Sequence, residues 1–485
     1  MRARPGVPVL PTALSLVVTL AGPAASIHGQ VAAALSPRVR DFVTVSEPLV
    51  ALTNVTVIDG TGAAPRAEQT IVIRDGRIAE VGPAASVRVP QGARVLDLRG
   101  QTVIPGLVGM HDHLFYTAAG GRQAQLGHSG PRLYLASGVT TIRTTGSVAP
   151  YADINTKHAV DEGQVPGPRI HITAPYITGG GSTGASDMAV LESPEAARRF
   201  VDYWASEGAT WIKAYTDIRR AELKAAIDEA HKRGLKVTGH LCSVSYQEAV
   251  DLGIDNLEHG FLTATDFDPQ KRPDLCPANS MVRVGGADPS GAAGRATIAK
   301  LVAHKVPMTS TLAVIEPFVP KRPVTDERTL DAMAPEVREA YLAMRAQIDT
   351  NPKWPFTGQM LRNAMTFEKA FVDAGGQLAS GVDPTGIGGA LPGFGDQRQY
   401  ELFMEAGFTP AQAVQIMTAN GAKILGVDDK LGSIERGKLA DLVVLNGDLA
   451  ADPGVIRKVT TVFKDGVGYD SAKLIASVKG RVGIS

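Results

Sequence analysis

Two histidines one residue apart, His111 and His113, close the run Val103-Ile104-Pro105-Gly106-Leu107-Val108-Gly109-Met110. A run so rich in β-branched and apolar residues reads as a buried strand. Residues two apart on a strand point the same way, so both imidazoles leave its end as a chelating pair. Neutral imidazoles are good ligands for zinc-like divalent ions, and three or four of them leave a coordination position open for water. Taken alone, the spacing is equally that of two paired core histidines. Further candidates shift the balance: Ile212-Lys213-Ala214 presents Lys213, Thr238-Gly239-His240 presents His240, Glu258-His259-Gly260 presents His259, and Gly381-Val382-Asp383 presents Asp383. A lysine is a poor ligand while charged, but desolvation lowers its pKa, and the neutral amine can then capture carbon dioxide as a carbamate. A barrel salt bridge is the other role open to Lys213.

The elements that must position these residues repeat. Each candidate ends its own expected strand, helical segments separate the strands, and polar residues at such strand ends are the mark of a (β/α)8 TIM barrel with its site at the C-terminal face. Between Lys213 and His240, Leu223, Ala226, Ile227 and Ala230 share one helical face that ends in Lys232-Arg233-Gly234, as an outer barrel helix should. The chain ends read differently. Ile71-Val72-Ile73-Arg74 turns through Asp75-Gly76 into Arg77-Ile78-Ala79, and Val459-Thr460-Thr461-Val462-Phe463 ends at Asp465-Gly466. Asp-Gly between β-branched runs signals a hairpin. The expected organisation is a signal peptide over about 1–26, a linker over about 27–51, β-sandwich over about 52–104 and again over about 428–485, and a barrel over about 105–427. Within the barrel the stretch of about 317–363 is longer than one loop needs, and Glu336 to Ile348 reads as helix, so a capping insertion is expected over the site.

The ordered set His-X-His, Lys, His, His, Asp, with the lead-in Ile104-Pro105-Gly106-Leu107, resembles the metal-dependent amidohydrolase superfamily. The Ile212-Lys213 and Glu258-His259-Gly260 contexts are most similar to its imidazolonepropionase-like, prolidase-type branch, which includes dipeptidases of Xaa-Pro and Xaa-Arg type and ochratoxin-degrading amidases. The resemblance runs from about Leu52 to the C-terminus. It implies a composite β-sandwich built from both chain ends and two divalent ions, zinc being the expected one. His111, His113 and Asp383 would hold one ion, His240 and His259 the other, with Lys213 as an N6-carboxylated bridge. It also implies hydrolysis of an amide or peptide bond in a small substrate: a dipeptide, an N-acyl or aryl-amide amino acid, or an ochratoxin-like compound. A hydroxide bridging the ions would attack the carbonyl, and Asp383 would take its proton and return it to the departing amine. Tyr215 lies two residues beyond Lys213, so its hydroxyl could stabilise the oxyanion or simply line the pocket. Homo-oligomers are compatible with the resemblance.

Other residues carry less. Asp112 points away from its histidine neighbours. Arg143, in Thr140-Thr141-Ile142-Arg143, could take a substrate carboxylate or form a buried salt bridge. His171, on the expected third strand, is a candidate for touching substrate. Gly179-Gly180-Gly181-Ser182 lacks the lysine of a phosphate loop and reads as a tight barrel loop. Two further activities stay open. A mononuclear cyclic-amide hydrolase or deaminase is one, although His240 is followed by Leu241, Cys242 and Ser243 rather than by a glutamate that could protonate a ring. An exported metal- or substrate-binding protein without turnover is the other.

With 485 residues, 44% hydrophobic, 20% charged and no formal net charge, the chain can bury a large core and shows no electrostatic bias toward nucleic acid. Arg2 and Arg4 precede an apolar stretch around Val7 to Ala21, and Ala24, Ala25 and Ser26 follow, which reads as a secretory signal. The expected destination is export, most simply to a periplasm, with no membrane attachment after cleavage; an uncleaved anchor is the alternative. In an oxidising compartment Cys242 and Cys276, in loops beyond His240 and His259, can pair as a disulfide or remain two thiols.

Overall fold

The computed structural model describes residues 35–117, 119–121, 123–180, 188–323 and 325–484. The expected signal segment lies outside them. Eight parallel strands succeed one another in chain order: Leu107–Asp112, Val139–Thr144, Arg169–Thr178, Trp211–Ala214, Lys236–Gly239, Asn256–Glu258, Met308–Ser310 and Leu378–Ser380. Each pairs with the next, and the two-residue strand Ala189–Val190 adds to the third. Just beyond the eighth strand the seam to the first is bridged: Asp383 N–H donates to the His111 carbonyl at 2.8 Å, and Val382 N–H to Asp112 Oδ1 at 3.1 Å. The expected TIM barrel is therefore present, and its closing stitch runs through two residues of the candidate site.

The outer layer follows from amphipathic helices. In the helix Arg220–Lys232 the buried Leu223, Ala226, Ile227 and Ala230 join one apolar core with Ile212 and Val237 of the adjoining strands. That burial of aliphatic surface is the main force holding helix to barrel. Gly234 follows the helix in the left-handed region, φ 74°, where a side chain would be strained.

The apolar run ending at the two histidines differs from the single strand expected. Thr102–Pro105 belongs to the flanking sheet, and Leu107–Asp112 to the barrel. The break is at Gly106, where a Cβ would lie 2.1 Å from Thr140 Oγ1. Periodicity could not show it, because the run is equally apolar on both sides of the break.

The flanking sheet knits both chain ends together, as the composite sandwich requires. Leu442–Leu445 pairs antiparallel with Thr102–Pro105, register Val443 to Ile104, and with Val459–Lys464. Both Asp-Gly turns are two-residue hairpins, with Asp75 and Gly76 at φ 49° and 76° and Asp465 and Gly466 at φ 52° and 78°. Part of the expected linker is structured: Val43–Val45 pairs with Val467–Asp470, and the next strand already begins at Leu49.

In the expected insertion the helix Pro335–Thr350 is anchored by the buried Arg345, which donates to the Val319 carbonyl at 3.2 Å and to Asp349 Oδ1 at 3.0 Å. The following helix, Gly358–Asp373, contributes Phe367 and Phe371 to the same apolar core as the barrel, so the capping part ends before it.

Candidate metal centre and active site

The parallel barrel delivers the predicted residues to one place because each lies within three residues of the C-terminal end of its strand. His111, His113, Lys213, Tyr215, His240, His259 and Asp383 all line a single cavity of about 450 Å³ at the C-terminal strand ends. The imidazoles form a chain, with ring centres 5.3 Å apart for His111 and His113, 4.5 Å for His111 and His259, and 4.4 Å for His259 and His240. The Asp383 carboxylate faces three of them, at 3.6 Å from His111 Nε2, 3.4 Å from His113 Nε2 and 3.8 Å from His259 Nδ1. Those separations are long for hydrogen bonds, and they gather nitrogen and oxygen atoms of ligand type around one point of the cavity. The tightest such group joins His111, His259 and Asp383, rather than the expected set of His111, His113 and Asp383.

Two of these residues reach the cavity through strained backbone. Asp383 sits at φ 48° and His259 at φ 67°, in the left-handed region that costs a non-glycine residue on the order of 1 kcal/mol. After His259 the chain passes Gly260, where a Cβ would meet Glu368 Oε1 at 2.4 Å.

Hydrogen bonds fix the rings from behind. His111 Nδ1–H donates to Glu258 Oε2 at 2.7 Å, and His113 Nδ1–H to the Gly146 carbonyl at 3.2 Å, so each Nε2 is left as a lone pair toward the cavity. His259 Nδ1 pairs with Thr311 Oγ1 at 2.8 Å. Burial, then the Lys213 charge, pushes His111 down to about 4 and His240 to about 3, so both rings are neutral near pH 7. Burial works to raise the Asp383 carboxyl, but the facing histidines outweigh it and hold it well below the usual range.

Lys213 is the least ordinary of the set. It is almost wholly buried, its Nζ has no hydrogen-bond partner, and burial pulls its pKa down to about 8 despite Glu258 and Asp383 nearby. An orphaned, partly neutral amine between imidazoles and a carboxylate fits a site made for cations and a carboxylated lysine. The site residues thus fit the divalent metals that the amidohydrolase resemblance implies.

Tyr215 follows the fourth strand, with its N–H donating to the Ile177 carbonyl at 2.8 Å, and its ring lies 4.8 Å from that of His240. Burial pushes its hydroxyl up to about 12, which keeps the proton available for donation. Cys242 and Cys276 are joined as a disulfide that ties the loop after the fifth strand to the loop after the sixth.

Of the two roles open to Arg143, the structure shows the buried salt bridge and not a place on the cavity wall: it is fully buried, does not line the cavity, donates to Glu258 Oε1 at 2.6 Å and to the Met110 carbonyl at 2.9 Å, and stacks 4.4 Å from the Trp211 ring. His171 does not line the cavity either, and its Nε2 is buried without a partner. Asp112 is spent on the barrel seam. Gly179 runs close beside another segment, its Cβ position 2.1 Å from the Asp217 carbonyl oxygen, while Gly181 and Ser182 of the expected loop lie outside the described residues.

Sequence reading missed Glu258 and Tyr176. Glu258 is two residues beyond Asn256 on one strand and shares its inward face, a signal that was present. Tyr176 lines the cavity with its hydroxyl 3.4 Å from His113 Nε2, and nothing local in its strand marks it.

A parallel barrel that gathers four imidazoles, a lysine and an aspartate at its C-terminal end defines a hydrolase of the metal-dependent barrel class. The pattern that describes the Amidohydrolase family matches residues 102–317 and 372–468, more than half of the chain, and the chain belongs to that family. A dihydroorotase of Anaeromyxobacter dehalogenans (strain 2CP-C) is 38% identical over 97 residues, 20% of this chain and 21% of its own. The chain thus spans about a fifth of the length of the curated relatives it matches. Among solved structures, a protein from Bifidobacterium longum described as a candidate prolidase is 26% identical with a TM-score of 0.61, over 89% of this chain and 98% of that one. A Xaa-Pro dipeptidase with bound methionine in its active site is 22% identical with a TM-score of 0.65, over 87% of this chain and 100% of that one. Among the described residues no helix is long and apolar enough to cross a membrane.

Proposed function

We propose that this protein cleaves an amide or peptide bond in a small substrate, using two divalent ions, zinc first among them. His111, His113, His240, His259, Asp383 and a carboxylated Lys213 would hold the ions. The observation that carries the reading is Lys213, whose buried amine has no hydrogen-bond partner and a pKa of about 8 among the other donors. Carbamate formation joins the neutral amine to carbon dioxide with loss of one proton, and it turns a poor ligand into an anionic one.

Bound divalent ions supply Lewis acidity, which acidifies water and polarises a carbonyl. The chain's own residues do the rest. Asp383, kept ionised, takes the proton of the attacking water and passes it to the departing amine. Tyr215, kept protonated, donates a hydrogen bond to the developing oxyanion. The candidate prolidase and the dipeptidase among the similar structures support a dipeptide or N-acyl amino acid as the substrate type. The local likeness to dihydroorotase favours a second reading, hydrolysis of a cyclic amide. Export to a periplasm by the N-terminal signal is part of the same proposal.

The test is metal content per chain by elemental analysis, for the wild type beside Lys213→Ala, with turnover on a panel of dipeptides, N-acyl amino acids and cyclic amides. About two equivalents, falling sharply in the variant, with linear amides cleaved, is the expected result. One equivalent, untouched by the substitution, overturns the carbamate bridge. Metal bound without any turnover returns the protein to the binding class.

A further inference from the structure

We infer that the part of the substrate lying away from the metal-binding residues is a large, uncharged, aromatic group, held by a wall centred on Phe318 and Phe356. The inference rests on the amide-hydrolase reading and adds the chemical class of the group the cavity selects. Among the described residues the charged side chains lining the cavity, Lys213 and Asp383, both come from the barrel strand ends. The rest of the lining is largely apolar, with Val314 and Ile315 on the helix Leu312–Ile315 just after the seventh strand, Met281 on the helix Ser280–Gly286, and the rings of Phe318 and Phe356.

Phe318, Phe356 and Met281 are only half-buried, so each leaves apolar surface that a ligand can cover. The two rings lie 5.2 Å apart at 33°, a tilted pair that offers faces and edges to a third ring. Met281 supplies an adaptable, polarisable contact. The pair is also held in place. Trp354 Nε1–H donates to the Phe318 carbonyl at 2.7 Å, which ties the two ends of the insertion together. Phe318 packs against Gly386, where a Cβ would come within 2.9 Å of its ring, so it rests on the loop that carries Asp383. A charged group placed against this wall would lose its hydration without a partner, so the wall selects against it.

The position of the pair in the chain points the same way. The Amidohydrolase family pattern leaves residues 318–371 unmatched, and both phenylalanines fall inside that stretch. The metal-binding residues lie within the matched stretches, whereas Phe318 and Phe356 lie between them. Loops and insertions of that kind set which substrate a common barrel accepts.

The experiment compares N-(2-naphthoyl)-L-alanine and acetyl-2-naphthylamide with N-acetyl-L-alanine, on metal-loaded wild type, Phe318→Ala, Phe356→Ala and the milder Phe318→Leu, with metal content measured for each. The quantity read is the ratio of kcat/KM for a naphthyl substrate to that for N-acetyl-L-alanine. The expected result is a ratio above one in the wild type that drops about tenfold in each alanine variant, and less in Phe318→Leu, at constant metal content. A ratio that does not move, or that is highest in the variants, overturns the inference. Should the wild type cleave none of the three, the amide reading is judged by the wider panel above, and the wall by calorimetric binding of naphthalene-2-carboxamide. Binding weakened about tenfold by Phe318→Ala upholds the wall, and equal binding overturns it.

Discussion

Glu258 joins His111 to Arg143: its Oε2 receives the His111 Nδ1 proton at 2.7 Å, and its Oε1 receives Arg143 Nη2 at 2.6 Å. Asn256 Nδ2 donates to Oε1 at 3.0 Å, and Thr238 Oγ1 donates to it as well. Glu258 and Arg143 are fully buried and His111 nearly so. Burial works against the Glu258 charge, but Arg143, Lys213 and His111 together hold the carboxyl well below its usual range. The barrel interior thus carries an ionised network beneath the cavity, and it sets which nitrogen of His111 faces the cavity.

Replacing Glu258 with Gln keeps the shape and removes the charge. The His111 tautomer is then less firmly set, and its Nε2 is a weaker donor. Metal affinity, measured by competition with a chromogenic chelator, should fall by about 10- to 100-fold. An unchanged affinity would show that Glu258 serves only the barrel core.

Arg143→Met separates the two roles open to Arg143. The substitution strands a buried carboxylate, which should cost about 3–5 kcal/mol in urea unfolding. Pairing it with Glu258→Gln should recover part of that loss, because the stranded charge is gone. The Michaelis constant for substrates with a carboxylate should not change selectively relative to neutral ones. A selective rise would restore Arg143 as a substrate ligand.

Most of the site was legible because a barrel turns strand ends into a single locus. Polar residues that close a short, mostly apolar run mark such an end, as His111 with His113, Lys213 and Asp383 do; His240 and His259 end shorter runs and gain their meaning from the repeating order of strands. What was hidden depended on contacts between distant segments. The boundary between sandwich and barrel was expected at about 104/105, yet the apolar run is continuous through Gly106, so periodicity could not show that one strand becomes two. Glu258 reads as the neighbour of a ligand until Arg143 is seen opposite. Phe318 and Phe356 are 38 residues apart in a segment without strand periodicity, and only the fold brings their rings together. Arg143 stayed open between two roles because an arginine near a strand end fits an anion as well as it fits a buried glutamate, and only the fold places Glu258 opposite it.

The disulfide between Cys242 and Cys276 spans a separation of 34 residues and begins two residues beyond His240. Closing a loop of that length restricts the unfolded chain, and removing the link should cost about 2–4 kcal/mol. The double variant Cys242→Ser with Cys276→Ser should therefore unfold at lower urea than the wild type. Dithiothreitol should lower the wild-type midpoint toward that of the variant and leave the variant where it is. A midpoint shared by both proteins without reductant would mean that the link adds nothing to stability.

The pH dependence of the metal-free protein follows from its buried imidazoles. Burial pushes His111 and His171 down to about 4 and His240 to about 3. In the unfolded chain each titrates near 6.5, so between about 6.5 and 4 the unfolded state binds more protons than the folded one. Their contribution is complete above about pH 6.5 and is lost as the pH falls toward 4, at no more than ~1.4 kcal/mol per pH unit for each group. Lys213 acts at the other end. Its folded pKa of about 8 lies below the unfolded value, so stability rises again as the pH climbs from about 8 toward 10.5. Urea midpoints in EDTA should therefore increase from pH 5 to pH 7. His171 stands apart from the cavity, so His171→Gln tests one group cleanly: it should flatten that increase without touching metal content. A slope as steep in the variant as in the wild type would mean that His171 takes up its proton in the folded protein and that the acid sensitivity belongs to the cavity histidines alone.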